Sequence, residues 1–552
     1  MNWWQQGVFY QIYPRSFQDS NADGIGDLRG LIQRLDYLND GTPDSLGIDA
    51  IWLSPFFPSP MHDFGYDISD YCAIDPVFGS METFDELLQQ AHQRNIRIIL
   101  DLVVNHTSDQ HPWFQQSCTP GSDKADWYIW HQGEQPPNNW LGCFGGRGWT
   151  FNPQRNAWYY HSFLPQQPDL NWRNPAVKQA VREIMEFWLN KGVDGFRLDV
   201  VNLYYKDARL RNNPTDWFRL ARPYDRQRHI FDRDQPEMHS LLHDMRRWVD
   251  TFPQRMMVGE IMLAEAGNSD LPASYYGQND ELHLAFNFEF LRAPFKAAAF
   301  HAIIKKWVDV LGDDNWPNYT LSNHDFRRHA SRYRDGKHTL ARLKVLATLL
   351  LTLRGTPFLY YGEETGMPEQ GVKRRDLKDP VGIRYWPLHP GRDGCRRPMM
   401  WDAPANTFTQ GRSWLPDEPL PAHSVAHQHH DPDSLLSWYK KLIWLRKKMP
   451  ALNQGNLRLV QAPDNVLAYE RSAINASAGE RLLILLNFSR QPQLTSLHPQ
   501  ALASCLLNSL HQDADTQDPH SALVFQRGQL QLQPLQALVL QLQADYPLKV
   551  YV

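Results

Sequence analysis

The feature that most limits how this chain can fold is a repeated alternation of short β-like runs with longer helical patterns. The β-like runs are Phe9–Tyr13, Ala50–Leu53, Arg97–Leu102, Gly195–Leu198, Met256–Val258, Leu284–Phe288, Tyr319–Leu321 and Pro357–Tyr360. Strands separated by helical stretches favour an α/β architecture over a sandwich. Eight such units predict a (β/α)8 TIM barrel, whose chemistry sits at the C-terminal ends of the strands. The intervening helices carry their own start signals: Asn174-Pro175 supplies a cap and first turn for a helix over Pro175–Lys191.

Two segments interrupt the repeat. Residues 104–172 are rich in Gly, Pro, Asn and Trp and too long for a βα loop, so they are expected to form an inserted domain between barrel parts 1–103 and 173–455. A second insertion runs from about Met367 to Asp433, ahead of a last helix over Leu435–Lys448. Beyond residue 456 the pattern changes to short alternating strands such as Arg481–Asn487, predicting a C-terminal antiparallel β-sandwich over 456–552. A chain of 552 residues is in any case too long for one ordinary domain.

Composition narrows the partners. A net charge of −5 gives no reason to expect a nucleic-acid partner. The cysteines, Cys72, Cys118, Cys143, Cys395 and Cys505, are scattered and contain no C-x-x-C pair, which fits a reducing compartment rather than a disulfide scaffold or zinc site. The N-terminus lacks the basic start and apolar core of a signal peptide, and the longest apolar stretch, Leu343–Leu353, is too short to span a bilayer. A cytoplasmic protein with no membrane partner, monomeric or a small homo-oligomer, is the expectation. The 20 Trp are numerous enough that some can stack on sugar faces while most fill the core.

Three stretches place a carboxylate just after a strand: Gly195-Phe-Arg197-Leu-Asp199-Val200-Val-Asn202, Val258-Gly-Glu260 and Ser322-Asn-His324-Asp325. Asp199 and Glu260 could supply the nucleophile and the acid of glycoside cleavage, which need one ionised carboxylate and one protonated carboxyl roughly 5 Å apart. Each alone would read as a strand-end residue capping the next helix. In this order, with Arg197 two residues before the first Asp, the set resembles the α-amylase superfamily (glycoside hydrolase family 13), most closely its small α-glucosidases and oligo-1,6-glucosidases.

That resemblance implies specific roles. Asp199 would be the nucleophile, Glu260 the acid/base and Asp325 the third carboxylate, which holds sugar hydroxyls in the distorted transition state. Arg197 would keep Asp199 ionised and its pKa low, with Glu260 protonated in a more apolar setting, and Asp101 would orient Arg197. His106 and His324 would donate to hydroxyls of the first glucose, Tyr66 would stack under it, and Phe163 would close over it from the inserted domain. Asp63 would pair with Arg396 at the far end of the sugar, implying attack from the non-reducing end. Val200 would bias linkage: the family's α-1,6-cleaving members tend to have Val there, and its α-1,4-preferring relatives Ala or Thr. Around Arg396 the chain reads Arg396-Arg397-Pro398-Met399-Met400-Trp401, where the family glucosidases commonly have Arg-Thr-Pro-Met, a polar residue and Trp.

Asp19, Asn21, Asp23 and Asp27 alternate oxygen-bearing side chains as hard cations require, although Gly30 at the twelfth position excludes an EF-hand. The run resembles the structural calcium loop after strand one of many family glucosidases, with the Ile25 carbonyl as a further ligand; no organic cofactor is implied. The resemblance thus implies an exo-acting, retaining α-glucosidase on short oligosaccharides, with a preference for α-1,6 bonds. The alternatives are an α-1,4-preferring glucosidase, or a glucosyl transferase or sucrose isomerase on the same fold. A transporter partner subunit is remote, because such members have lost the carboxylates that this chain keeps.

Overall fold

The computed structural model describes residues 1–262, 268–402, 407–416, 418–473, 480–510, 523–544 and 546–548. Its centre is an eight-stranded parallel sheet built from Phe9–Ile12, Ala50–Leu53, Arg97–Leu102, Gly195–Leu198, Met256–Gly259, Leu284–Ala285, Asn318–Thr320 and Thr356–Tyr360. Strands one to six pair in chain order, the seventh pairs with the eighth, and the eighth pairs with the first, Phe9 opposite Phe358. The sheet is thus a nearly closed barrel. Strands six and seven share no ladder; the Asn318 side chain donates to the Ala285 carbonyl at 2.8 Å across the seam.

Strand six is shorter than the predicted Leu284–Phe288 because Asn287 turns the chain: its side-chain oxygen accepts from the Glu289 amide at 3.0 Å and starts the helix Glu289–Arg292. The helices Pro175–Lys191 and Leu435–Lys448 have the expected bounds, the first with Asn174 capping Ala176.

Side chains alternate inside and outside along each strand. Phe9, Trp52, Ile99, Val258, Phe286 and Phe358 form one apolar plug within the barrel, while Tyr10, Ile51 and Ile98 belong to the larger core shared with the outer helices. Parallel register carries this inward face upward. Asp101 pairs with Arg197, and Arg197 with Val258, so the polar residues continue the plug toward the C-terminal rim. Gly195 starts strand four at φ +157°, and a Cβ there would stand 2.2 Å from the Met256 carbonyl oxygen, so only glycine lets strands four and five approach.

Within 104–172 lies a small antiparallel sheet of Trp130–His131, Ala157–Tyr160 and Trp149–Asn152. Beyond 456 are a five-stranded and a three-stranded antiparallel sheet with the apolar cluster of Leu483, Leu485, Leu530, Leu532 and Leu540. Among the described residues no helix is long and apolar enough to cross a membrane.

Just past strand eight, Glu363 and Glu364 are both buried. Glu364 accepts from Tyr10 at 2.8 Å and Tyr37 at 2.7 Å, and Glu363 accepts from Tyr439 of the last helix at 3.1 Å. Burial pushes the Glu363 carboxyl up to about 8, against the pull of the Tyr439 bond and with help from the Glu364 charge. An acid raised on folding costs stability only where the unfolded chain has lost its proton. The cost is therefore absent below the ordinary carboxyl range, grows as pH rises towards 8, and levels off above. Glu363→Gln, which keeps the acceptor for Tyr439, should raise the melting temperature by an amount that widens across that interval, the underlying gain in stability reaching on the order of a few kcal/mol at its largest. Melting curves of both proteins from pH 5 to 9 measure it; a pH-independent difference would contradict the assignment.

Candidate active site

The inward polar residues meet at one guanidinium. Arg197 Nη1 donates to Asp101 Oδ1 at 2.7 Å and to Asp199 Oδ1 at 2.6 Å, and its Nη2 donates to Glu260 Oε2. Its carbon lies 4.9 Å from the Trp52 ring centroid. Asp199 follows Arg197 by two residues and so faces the same way. Glu260 follows Gly259, which pairs with Leu198 on the adjacent strand. Asp199 and Glu260 are thus both held on one guanidinium, as the paired carboxylates of a glycosidase would be.

The turns after strands four and five are sewn together. The Val201 amide donates to the Glu260 carbonyl at 2.9 Å, and Asn202 exchanges bonds with the Met262 amide and carbonyl at 2.9 and 3.0 Å. Between them Val200 sits at φ +37°, a left-handed conformation that a β-branched residue rarely adopts and that stores strain beside Asp199. Its side chain packs with Phe144, Phe163, Leu203 and Val381.

These residues border a cavity of about 840 Å³ that contains Asp63, Tyr66, His106, Phe163, Asp199, Val200, Glu260, His324, Asp325 and Arg392 in its wall. Tyr66 and His324 lie in parallel planes, and Tyr66 Oη is 3.0 Å from Asp101 Oδ2 and 2.6 Å from His324 Nε2. With Gln11 donating to His324 Nδ1 at 2.7 Å, the imidazole carries its proton on Nε2. His106 is turned away from a purely substrate-facing role: its Nε2 is 2.9 Å from the Tyr66 carbonyl, and Asn105 approaches its Nδ1 at 3.1 Å. Gln167 and Asp169 hold this wall from behind, Gln167 contacting Asp63 and Asp169 accepting from Ser162 and Asn105.

The expected Asp63–Arg396 pair is not present. Asp63 pairs with Arg392 at 2.7 Å. Arg392 also bonds Asp379 at 2.7 Å and Asp325 at 3.2 Å, and lies 4.7 Å from the Phe144 ring centroid. The reason is the tight turn Asp393–Cys395, which sends the two arginines to different depths. Arg396 is fully buried and backs the site instead, bonding the His324 carbonyl at 3.0 Å and Asp325 at 3.1 Å. Arg392, Asp379 and Phe144 are absent from the sequence expectation. The Gly391-Arg392-Asp393 turn and the glycines after Phe144 were the available signals.

The electrostatic expectation for Asp199 is also corrected. Burial raises its carboxyl to about 6, outweighing Arg197, and the neighbouring Asp101 charge adds to the rise. Asp325 behaves oppositely. Burial opposes its ionisation, but the surrounding His324, Arg392, Arg396 and Arg197 hold it well below the usual carboxylate range. His324 is itself pushed down to about 3 by burial, so it is neutral at working pH and the arginines carry that effect.

The loop proposed for a cation is folded on itself. Asp19 accepts from the Asn21, Ala22 and Gly24 amides at 2.9 Å, Asn21 from Asp23 at 3.0 Å, Asp23 from Ile25 at 2.7 Å, and Asp27 from Ser20 and Gly30. The oxygen-only donor set suits a hard cation. Among the described residues, however, no three His, Cys, Asp or Glu side chains gather as a metal cluster.

An arginine-centred carboxylate trio at the C-terminal rim of a parallel barrel defines a glycoside hydrolase site of the α-amylase type. The comparisons agree: residues 11–455 match the alpha-amylase catalytic domain, and the chain belongs to that family. It is 43% identical over 511 residues to a probable alpha-glucosidase of Rhizobium meliloti, covering 88% of this chain and 90% of that protein. It is 37% identical over 569 residues to an oligo-1,6-glucosidase of Bacillus cereus, covering 95% and 99%. Among solved structures, the alpha-glucosyl transfer enzyme XgtA superposes with a TM-score of 0.88 at 39% identity, covering 98% of this chain and 100% of that one.

A carboxylate that must be ionised to react, and that titrates near 6, sets the acid limb of kcat/KM. We expect kcat/KM to fall about tenfold per pH unit below that value. Asp101→Asn, by removing a neighbouring negative charge, should move the limb to lower pH while lowering the plateau. A limb that stays in the ordinary Asp range in the unmodified enzyme would contradict the assignment.

Proposed function

We propose that the chain is an exo-acting, retaining α-glucosidase that releases glucose from the non-reducing end of short α-glucosides, favouring α-1,6 linkages. The observation that carries this reading is the pairing of Asp63 with Arg392 at one end of a cavity whose reacting carboxylates, Asp199 and Glu260, share Arg197. A salt-bridged end wall suits capture of one terminal sugar rather than passage of a continuous chain.

In this reading Asp199 attacks the anomeric carbon while Glu260 gives its proton to the departing glycosidic oxygen. A covalent glucosyl ester forms and the aglycone leaves as an alcohol. Glu260, now a carboxylate, takes a proton from water, which attacks the same carbon and frees Asp199, with net retention. Asp325, held ionised, accepts from sugar hydroxyls, and its contacts strengthen as the ring flattens. His324 supplies a neutral N–H donor, and Tyr66 a flat face.

Linkage preference is assigned to Val200. Its stiff branched side chain narrows the space beyond the scissile bond, and an α-1,6 bond, with an extra methylene and torsion, can bend past it. The test is a panel of isomaltose, isomaltulose, sucrose, trehalose and maltose, with anomer analysis by NMR. We expect retained configuration, isomaltose-type substrates ahead of maltose, and Val200→Thr to shift the ratio towards maltose by about 1–3 kcal/mol at most. Inverted product would sink the mechanism; maltose preference unmoved by Val200→Thr would sink the linkage assignment. A new disaccharide formed from sucrose would favour the transfer reading, which shares the covalent intermediate and resembles what XgtA is named for.

Calcium belongs to this proposal as a structural ion at Asp19, Asn21, Asp23, the Ile25 carbonyl and Asp27, with no part in the chemistry. Asn21 Oδ1 and Asp23 Oδ1 each accept one N–H and keep a second lone pair, whereas the oxygens of Asp19 and Asp27 each accept two hydrogen bonds, some of which a bound ion would replace. A ligand bound only by the folded state raises its melting point, so chelation should lower it and added calcium restore it. Unchanged melting in both directions would remove the ion. A reducing compartment such as the cytoplasm suits the five cysteines, all free thiols.

A further inference from the structure

A run of short hydrogen bonds stands behind the reacting carboxylates. It starts on strand one at Gln11, which is 1% exposed and whose amide nitrogen lies 2.7 Å from His324 Nδ1. From His324 Nε2 it passes to Tyr66 Oη at 2.6 Å, and from there to Asp101 Oδ2 at 3.0 Å. His324 and Tyr66 border the reaction cavity, and Gln11 backs them from the strand.

The carboxylates decide one proton of the ring. Asp101 accepts from Arg197 at 2.7 Å and from Trp52 at 3.2 Å, the donors that an ionised carboxylate takes. Tyr66 Oη therefore donates to Asp101 and accepts from His324, since the reverse would turn its lone pairs on the anion. Asp325 Oδ2, 3.3 Å from Nε2, makes the same demand of that nitrogen. Nε2 is thus an N–H, and what remains open is whether Nδ1 carries a second proton.

Several groups bear on that choice. Asp325 favours an imidazolium, while burial, Arg396, Arg197 and Arg392 oppose it. The side chain that meets Nδ1 directly is Gln11. Its amide nitrogen gives one hydrogen to Ser54 Oγ at 3.2 Å and the other to Nδ1, which is then an acceptor. Turning the amide over would offer Oε1 to a second proton. It would also put the NH2 where Oε1 has no hydrogen-bond partner, leaving two donors unpaired in place of one acceptor. The ring is held in place apart from this bond, with Tyr66 within 4° of parallel at 5.3 Å and Tyr13 within 15° at 6.3 Å. What Gln11 adds is charge state rather than location.

We propose that Gln11 is a positioning residue for the reaction, which does not touch the sugar but holds His324 neutral with its one proton on Nε2. The neutral ring matters because the sugar becomes oxocarbenium-like as its bond breaks. An imidazolium beside Asp325 would offset that carboxylate's charge and set a cation against the developing one, in a buried site where charges interact strongly. This consequence rests on the glucosidase reading and deepens it, by naming what sets the charge of the ring that faces the sugar.

The test uses full-length protein labelled with ¹⁵N-histidine, the His324 signals being identified by their absence from His324→Gln protein. Two-bond ¹H–¹⁵N correlations at neutral pH should show a single ring proton, on Nε2, in the unmodified chain. A ring protonated on Nδ1, or on both nitrogens, overturns the proposal. Gln11→Glu keeps the side chain's shape and withdraws the donor. We expect it to put a second proton on Nδ1 and to lower kcat/KM for isomaltose by roughly ten- to hundredfold. A ring still neutral in Gln11→Glu, or a charged ring with undiminished turnover, overturns the role. Gln11→Met serves where the Glu variant does not fold: with Nδ1 unpaired, kcat/KM should fall by roughly three- to tenfold, and an unchanged value overturns the role. If the unmodified protein cleaves no α-glucoside, the glucosidase reading fails separately, and the ring protons still decide what Gln11 does.

Discussion

The structure of the site depends on one buried guanidinium. Arg197 has nowhere to go: it is 1% exposed, backed by the Trp52 ring, and surrounded by Asp101, Asp199 and Glu260. Removing a charge from water is expensive, and only paired charges with good hydrogen bonds make it bearable. The barrel supplies the pairing through register. Asp101, Arg197 and Glu260 come from three neighbouring strands: parallel pairing sets Asp101 opposite Arg197 and Arg197 opposite Val258, and Glu260 follows two residues on, just past the paired Gly259. Loss of any one would leave the others as uncompensated buried charges, so the geometry of the reacting pair is inherited from the sheet.

The same cluster explains the proton inventory. Among the described residues, Asp63, Asp101, Asp199, Glu260, Asp325 and Asp379 pair with three arginines, Arg197, Arg392 and Arg396. A surplus of buried negative charge favours a retained proton. The two arginines around Asp325 keep it ionised, whereas Asp199 shares its one arginine with two other carboxylates and rises to about 6. In the proposed mechanism Asp199 must be ionised when it attacks, so its rise to about 6 works against the reaction in acid. Glu260 bonds the other end of the same guanidinium.

The barrel was legible because its strands are short apolar runs bounded by turns, and each barrel strand falls within a residue or two of its expected bounds, except the sixth. The carboxylates were legible because each follows its strand directly. What the sequence hid was everything set by the path of the long insertion after strand eight. Arg392 and Arg396 are four residues apart and chemically identical, and only the turn at Asp393–Cys395 determines which one reaches Asp63. The titration of Asp199 was hidden for a related reason: adjacency to Arg197 is visible in the chain, but the depth of burial and the second claim of Asp101 on the same nitrogen are not.

Specificity lies where the fold is least regular. The barrel fixes the reacting carboxylates, but the walls around the departing sugar come from three excursions: the inserted segment with Phe144 and Phe163, the segment after strand four, and the insertion carrying Val381 and Arg392. They meet around Val200, whose left-handed backbone turns its side chain into the apolar cluster they share. Strain at that residue persists only because Asn202 and Val201 clamp the turn to the Glu260 strand. Val200 is therefore fixed by the same bonds that hold the Glu260 turn. Under the proposed linkage role, side-chain size at Val200 can change without moving that turn, whereas a backbone change there would disturb the Asp199–Glu260 pair itself.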